Sequence, residues 1–506
     1  MRFNTTPTGT APDTLNHEGA SAYSVPAELE LYSAVVTTLL ADVTYEKADE
    51  RLTRIVNLAN QVSPLFLAKL AVYAREQMYL RTAPIVLLGT LAMRHNGDDL
   101  VSRTIARVIQ RPDEITELLA YYQAANGRSG TKKLNKLSKQ LQKGLAAAFN
   151  RFDEYQLAKY NRKADITLRD ALFLVHPRAK DAAQQRVFDK LVKGTLQTPY
   201  TWETELSALG QQAHDSPEAK QEATREKWHE LIDSRKTGYM ALLRNLRNML
   251  EAGIDAAHLK TVSVTLANEQ AVRKARQLPF RYLAAYRELK KLQSPYLSYL
   301  GETLETALQA SVNNLRGFEI DTRVVIACDV SGSMRKAISE NSTIQNYDIG
   351  LLLGMLLHGK CANVLAGVFG DRWATISLMS KGVLTNIELL DRLQNQVGYS
   401  TNGYLVLKDL IERRHQADKV MIFTDCQLWD SSGYNQSMAT YWVRYKQLFP
   451  KAKLYLFDLA GYGTSPVQVM AADVYLIAGW SDKIFDVLGD IEQGGTVLDT
   501  IHEISL

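Results

Sequence analysis

A carboxylate and two hydroxyls lie within five residues of one another at the end of a β-rich segment. Residues 322–328 are followed by Asp329, Ser331 and Ser333, in the pattern D-x-S-x-S. Short polar residues favour tight turns. A turn that carries a carboxylate and two hydroxyls offers the oxygen ligands that Mg²⁺ and Ca²⁺ prefer. Because such turns are common, a cation site also requires ligands from elsewhere in the chain.

Two later segments supply ligands of that kind. Thr401 precedes an amphipathic run that begins at Tyr404, so its hydroxyl is expected near the start of a helix. Residues 419–425 have the pattern of a buried parallel strand that ends in a carboxylate. The carboxyl ends of parallel strands share one edge of an open α/β sheet, where ligands bind. The predicted ligands of one divalent cation, Mg²⁺ in preference to Ca²⁺, are Asp329, Ser331, Ser333, Thr401 and Asp425.

This order of ligands resembles the metal-ion-dependent adhesion site of von Willebrand factor A domains. The threonine loop departs from that pattern, because Ser400 rather than glycine precedes Thr401, and Ser400 is therefore an alternative ligand. Mg²⁺ keeps waters and an open coordination position, which a carboxylate or phosphate of a partner can fill. The site is predicted to dock a partner, with no catalytic residue.

Composition narrows the class of protein. The chain has 506 residues, 46% of them hydrophobic and 23% charged, as in globular proteins of two or more domains. It has no run of 18 apolar residues and no signal-peptide pattern, and its three cysteines cannot form a disulfide framework. We therefore expect a cytoplasmic protein that does not act at a membrane. Walker A, H-E-x-x-H and G-x-S-x-G motifs are absent from the sequence, which predicts a protein that is not an enzyme.

The periodicity of the sequence changes near residue 320. Residues 25–310 have almost continuous helical periodicity, which favours stacked helix pairs, with a long helical bundle as the alternative. From residue 321 onward, strand and helix patterns alternate, as in a doubly wound α/β domain with a mainly parallel sheet. The predicted domains are residues 1–318 and 319–506.

Motifs in the helical part resemble the TROVE module, which is shared by telomerase-associated protein, the Ro autoantigen and a vault protein. They lie in the expected order along the chain: His17-Glu18-Gly19 with Tyr23, Tyr73-Ala74-Arg75-Glu76, Lys159-Tyr160-Asn161, His176-Pro177-Arg178, Trp202-Glu203, Arg244-Asn245-Leu246-Arg247 and Leu278-Pro279-Phe280-Arg281. A TROVE module followed at once by an A domain resembles the Ro ribonucleoprotein family, and its prokaryotic members are the closest in size.

The resemblance implies a monomeric toroid of HEAT-like helical repeats, closed by the α/β domain. In that family, small non-coding Y RNAs bind the outer surface, and single-stranded 3′ ends of misfolded RNAs enter a basic central hole. The implied role is non-coding RNA stability and quality control. In some bacterial relatives a Y RNA tethers an exoribonuclease, polynucleotide phosphorylase.

Basic side chains in the helical part are the candidate RNA contacts. Residues 101–200 hold 19 Lys and Arg against nine Asp and Glu, an excess that attracts polyanions. A solvated basic face remains the alternative, and His176 is equally explained as a helix cap. Arg244 and Arg247 either line the hole or pair with acidic neighbours. The candidate contacts are Lys132, Lys133, Lys136, Lys139, Lys159, Arg162, Lys163, His176, Arg178, Arg244 and Arg247.

A second function, of a different class, also fits the sequence. An adhesion or scaffold protein would recruit a carboxylate of a partner protein through the cation of the A domain.

Overall fold

The structure is a computed structural model that describes residues 11–42, 44–127, 137–311, 318, 321–340, 342–379, 382–429, 437–469 and 473–506. Two short strands, β1 (Thr14–Leu15) and β2 (Ser21–Ser24), precede a long series of helices. None of the helices in these ranges is both long enough and apolar enough to cross a membrane.

The helical series has the following bounds. They are α1 Ala27–Val36, α2 Ala48–Ala59, α3 Pro64–Glu76, α4 Thr82–Arg94, α5 Leu100–Val108, α6 Pro112–Ala125, α7 Lys139–Phe149, α8 Glu154–Tyr160, α9 Leu168–Val175, α10 Ala182–Lys193, α11 Trp202–Gly210, α12 Pro217–Asp233, α13 Tyr239–Arg244, α14 Leu246–Ala252, α15 Ala256–Ala267, α16 Glu269–Ala275, α17 Phe280–Lys290 and α18 Leu297–Ser311.

Strands and helices alternate after residue 322. The strands are β3 Arg323–Asp329, β4 Asn363–Phe369, β5 Trp373–Thr375, β6 Lys419–Thr424, β7 Lys453–Asp458, β8 Thr464–Ser465 and β9 Val474–Ala478. The helices are α19 Asn346–His358, α20 Val383–Val397, α21 Tyr404–Glu412, α22 Met438–Leu448, α23 Ile484–Glu492 and α24 Val497–His502. The predicted fold class, helical repeats followed by a doubly wound α/β domain, is confirmed.

Among the described residues, six strands form the central sheet in the order β5-β4-β3-β6-β7-β9, and every neighbouring pair is parallel except β4 and β5. The strands β3 and β6 are buried almost throughout, which explains their runs of Val, Ile, Met and Phe. Helix α19 packs closely on β3 at Gly354, where a Cβ atom would lie 3.0 Å from Sγ of Cys328. The carboxyl ends of β3 and β6 lie side by side, since Cys328 is paired with Phe423.

The chain divides into two compact units whose bounds differ from the predicted domains. One unit comprises residues 1–58, 278–284 and 304–500, and the other comprises 59–277, 285–303 and 501–506. We expected residues 1–58 to belong to the helical domain, but they pack on the α/β sheet. The hydroxyl of Tyr32 donates to the carbonyl of Ala478 at 2.7 Å, and β2 pairs with β8. Contacts more than 400 residues apart in sequence thus attach the amino-terminal segment to the α/β unit.

The second unit is built from successive packed helices. Helix α3 packs on α4 and α5, α4 on α6, and α5 on α7. One buried ion pair joins α3 to α6: Arg75 donates from Nη2 to Oε1 of Glu114 at 2.7 Å, and Glu114 is fully buried. Because Oε2 of Glu114 also accepts the backbone N–H of Gln110 and of Arg111, the carboxylate fixes the start of α6 against α3.

Candidate cation site and basic surface

The D-x-S-x-S turn lies at the carboxyl end of β3, as predicted. The backbone N–H of Ser331 donates to Oδ1 of Asp329 at 2.9 Å, which holds the carboxylate over the turn. The hydroxyls of Ser331 and Ser333 are 3.3 Å apart, and all three side chains are buried. The turn therefore presents one carboxylate and two hydroxyls together in a buried position.

Asp425 directly follows β6, the neighbour of β3. The preceding residue, Thr424, donates its hydroxyl to Oδ2 of Asp329 at 2.7 Å, so the two strand ends are in direct contact. Burial and, next, the negative charge of Asp329 raise the pKa of Asp425, while burial raises the pKa of Asp329. Two carboxylates are therefore held close together and out of water.

Thr401 lies in the loop between α20 and α21. Its side chain is buried, and its carbonyl accepts the N–H of Trp429 at 3.1 Å, a residue on the loop that follows Asp425. The carbonyl of Tyr399, in the same loop, accepts the N–H of Gly332 at 2.9 Å. The loop of Thr401 is thus tied to both of the other loops that carry predicted ligands.

Ser400, the alternative ligand, is engaged elsewhere. Its N–H donates to Oδ1 of Asp371 at 3.1 Å, and hydrogen bonds from Ser400 lower the pKa of Asp371. Ser400 is also more exposed than the buried Thr401. These contacts favour Thr401 over Ser400 as the member of the predicted ligand set.

One buried oxygen of this cluster supports its fit to a cation. Oδ1 of Asp425 accepts the N–H of Gln427 at 2.9 Å, whereas Oδ2 is buried with no hydrogen-bond partner in the described part of the chain. A buried carboxylate oxygen without a partner is costly. A hard cation among two carboxylates and three hydroxyls would satisfy that oxygen and neutralise the paired charges.

The amino-terminal segment lies against the loops of this cluster, which sequence reasoning did not predict. The hydroxyl of Thr44 donates to the carbonyl of Ser333 at 2.7 Å, and the N–H of His17 donates to Oε1 of Gln427 at 2.8 Å. The ring of Tyr45 stacks on His17, with centroids 5.2 Å apart, and its hydroxyl donates to the carboxylate of Glu18. The motif His17-Glu18-Gly19 was one of those that resemble the TROVE module. Nothing in its spacing indicated a contact with residues more than 300 positions away.

A basic surface surrounds the end of α8 and the segment that follows it. Lys159, Arg162 and Lys163 are all exposed. The ammonium group of Lys159 lies 5.8 Å from the ring centroids of both Tyr155 and Tyr160, so charge and aromatic surface are adjacent here. Phosphate groups and stacked bases are the ligands that such a combination suits.

His176 and Arg178 lie at the end of α9 and are exposed. His176 is the residue that ends the helix, in the left-handed conformation with φ 47° and ψ 57°, and its N–H donates to the carbonyl of Leu172. The predicted capping role is thus present, and the imidazole remains accessible to a ligand.

The other predicted RNA contacts are exposed, lie outside the described residues, or are paired with acidic neighbours. Lys139 is exposed on the first turn of α7, while Lys132, Lys133 and Lys136 lie outside the described residues. Arg244 is exposed at the end of α13. Arg247 forms ion pairs with Glu251 at 2.9 Å and with Glu288 at 3.0 Å, so its charge is balanced by acidic neighbours.

Comparison with protein families gives one match over more than half of the chain. The model of the TROVE domain matches residues 30–204 and 193–316. Two proteins named telomerase protein component 1 are similar to this chain: that of Mus musculus is 25% identical over 350 residues and that of Rattus norvegicus 26% over 311 residues. These alignments span 53% and 46% of this chain but only 13% and 11% of the two relatives.

Comparison with solved structures extends the similarity to the α/β domain. The crystal structure of the Ro (RSR) protein of Deinococcus radiodurans matches with a TM-score of 0.59. The match covers 92% of this chain and 100% of the other, at 17% sequence identity. At that identity the similarity is one of fold, and it includes both the helical part and the domain that follows it.

Proposed function

Since the chain belongs to the TROVE domain family, we propose that it is an RNA-binding protein of the Ro type and that it binds a small structured non-coding RNA of the Y class. The observation on which this proposal rests is a set of exposed basic side chains at and after the ends of α8 and α9, namely Lys159, Arg162, Lys163, His176 and Arg178. All five side chains are exposed and lie within the matched TROVE region.

The chemistry of this surface suits the backbone of a folded RNA. Lysine and arginine contact phosphates with little dependence on base sequence, so they read the shape of the nucleic acid. Tyr155, 44% exposed next to Lys159, offers a face on which a base can stack. We expect a double-stranded stem to supply the phosphates and a bulge or loop to supply the stacked base.

The second proposed ligand is the single-stranded 3′ end of a misfolded RNA, bound in the central hole expected for the family. Arg244 is a better candidate than Arg247 for that contact, because the charge of Arg247 is already balanced by Glu251 and Glu288. The proposed role is non-enzymatic: retention of such RNAs for stability and quality control.

A divalent cation, Mg²⁺ in preference to Ca²⁺, is proposed for the α/β domain. Asp329, Ser331, Ser333, Thr401 and Asp425 would hold it, and the partnerless Oδ2 of Asp425 is the support for direct ligation by that residue. The cation would neutralise two buried carboxylates and so stabilise the three loops that carry the ligands.

The experiment that tests the proposed function is crosslinking of the full chain to RNA in cells, followed by sequencing of the bound RNA. Enrichment of one or a few small structured RNAs, with crosslinks at residues 155–178, is the expected result. RNA recovered in proportion to its abundance, with no enriched class, would contradict the proposal.

A further inference from the structure

Two histidines and an aspartate from neighbouring helices meet on the surface of the helical unit. The imidazoles of His229, on α12, and His258, on α15, are stacked with centroids 3.8 Å apart and an interplanar angle of 4°. Asp255 precedes α15 and lies at the edge of this pair. One ligand atom from each of the three residues falls within 4.8 Å of the other two. These three residues belong to the helical unit, whereas the predicted cation ligands of the D-x-S-x-S turn belong to the α/β unit.

The two helices position each of the three side chains. Asp255 caps α15 by accepting the N–H of Ala257 and of His258, each at 2.9 Å. An aspartate at the cap and a histidine three residues later share one face of the helix. Their side chains meet directly, with Nδ1 of His258 2.8 Å from Oδ1 of Asp255. The other histidine comes from the last turn but one of α12.

Nε2 is the nitrogen of His229 that faces this pair. Nε2 of His229 accepts the backbone N–H of Asp255 over a long distance of 3.4 Å and lies 3.7 Å from Oδ2 of the same residue. An imidazole nitrogen binds a metal in its unprotonated form, so a cation at Nε2 would take the place of this long hydrogen bond.

We propose that Nε2 of His229, Nδ1 of His258 and the carboxylate of Asp255 form a binding site for a transition-metal cation of the Zn²⁺ class. Imidazole and carboxylate ligands suit Zn²⁺, which takes three protein ligands and one water at open sites. Ligands at about 2.0–2.1 Å in a tetrahedron lie roughly 3.3 Å apart. Oδ1 of Asp255 lies 2.8 Å from Nδ1 of His258, and Oδ2 lies 3.7 Å from Nε2 of His229, so each carboxylate oxygen already faces one of the two nitrogens. Because the two imidazoles are stacked in parallel, they must tilt apart for both lone pairs to point at one cation. The cation would replace the proton shared by His258 and Asp255.

A fourth residue orients one of the ligands. Oδ2 of Asp233, the last residue of α12, lies 3.4 Å from Nε2 of His258, the nitrogen that points away from the site. A metal-bound histidine commonly donates its other ring N–H to a carboxylate, which fixes the ring and strengthens the ligand. Asp233 is therefore a positioning residue, and the bound cation would fasten α12 to α15.

Titration of the full chain with Zn²⁺ in excess Mg²⁺, followed by calorimetry against a competing chelator, tests this site. We expect the wild-type chain to bind one Zn²⁺ more than H229A does, and thermal unfolding to shift upward with Zn²⁺ only where the site is intact. D255N retains an amide oxygen that can cap α15, so its expected loss of Zn²⁺ cannot be attributed to an unfolded helix. D233N should weaken binding about 10-fold or more.

His214, also in the helical unit, provides the matched control. Its Nε2 is 3.2 Å from the carbonyl of Leu209. Within the described ranges, His214 is not part of a group of histidine, cysteine and acidic side chains that could hold a metal ion. H214A should bind Zn²⁺ as the wild type does. Equal stoichiometry and affinity for wild type, H229A and D255N, or no saturable binding by the wild type, would overturn the proposal. In either case the contact would be only a hydrogen-bonded link between two helices.

Discussion

The hydroxyl of Thr424 donates a 2.7 Å hydrogen bond to Oδ2 of Asp329. Together with the N–H of Ser331 on Oδ1, it gives both oxygens of Asp329 a protein donor. Asp425 differs, because its Oδ2 has no hydrogen-bond partner in the described part of the chain. The two buried carboxylates therefore have distinct positions in the proposed site: Asp329 is held by the protein, and Asp425 keeps an oxygen available for a cation.

Substitution of Asp425 separates the repulsion between the two buried carboxylates from the stabilisation by a bound cation. In chelator, at a pH high enough to ionise Asp425, D425N should melt at a higher temperature than the wild type, because it removes one of two adjacent buried charges. Each 1 kcal/mol of relieved repulsion should raise the melting temperature by roughly 2–4 °C. With Mg²⁺, the wild type should gain stability and D425N should not. The exposed D486N variant should respond to Mg²⁺ as the wild type does, and a full Mg²⁺ response in D425N would contradict the assignment.

His176 can be tested without disturbing its helix. Glycine adopts the left-handed conformation more easily than any other residue, so H176G should preserve the fold and stabilise it by up to about 1 kcal/mol. Loss of the imidazole should nevertheless weaken RNA binding, by about 5-fold or more if a base stacks on it. Filter binding and thermal melting measure the two effects.

Arg414 provides the control for that substitution. It has a similar backbone conformation, with φ 51°, in the α/β unit. R414G should bind RNA as tightly as the wild type. If H176G also binds RNA with unchanged affinity, His176 is a helix cap and nothing more.

The buried pair of Arg75 and Glu114 should be essential to the helical unit. E114Q leaves the Arg75 guanidinium buried without its charge partner, and such losses cost about 3–5 kcal/mol. Urea unfolding followed by tryptophan fluorescence, to which the stacked Trp202 and Trp228 of this unit contribute, should report the loss. The exposed E117Q variant on the same helix should change the free energy of unfolding by less than about 0.5 kcal/mol. Equal effects of the two variants would exclude a special role for the pair.

Asp482 gives the α/β unit a defined dependence on pH. Burial raises the pKa of its carboxyl to about 6. Because the folded state then holds a proton that the unfolded chain has already released, stability should fall as the pH rises from the ordinary aspartate range to about 6. D482N should remove that part of the slope when melting temperatures are compared across this interval, whereas D486N should retain it. A slope unaffected by D482N would show that Asp482 ionises normally.

The parts of the molecule that sequence reasoning could and could not anticipate differ in physical origin. Buried parallel strands are marked by continuous apolar runs, so the ends of β3 and β6, and with them Asp329 and Asp425, could be placed from local patterns. The packing of residues 1–58 on the α/β sheet could not, because it depends on contacts such as Tyr32 with Ala478 that no periodicity encodes. The same applies to His229 and Asp255, which only the packing of α12 on α15 brings together.

The most direct test of the central claim is filter binding of a small structured RNA to the full chain across a salt series. We predict higher affinity than for a random hairpin, with log affinity falling linearly against log salt. The triple variant K159A/R162A/K163A should bind at least about 10-fold more weakly, with a salt slope shallower by roughly 2–3. R247A, whose charge is already balanced by Glu251 and Glu288, should change little. Affinity no better than for the random hairpin, or the absence of a salt slope, would contradict the account.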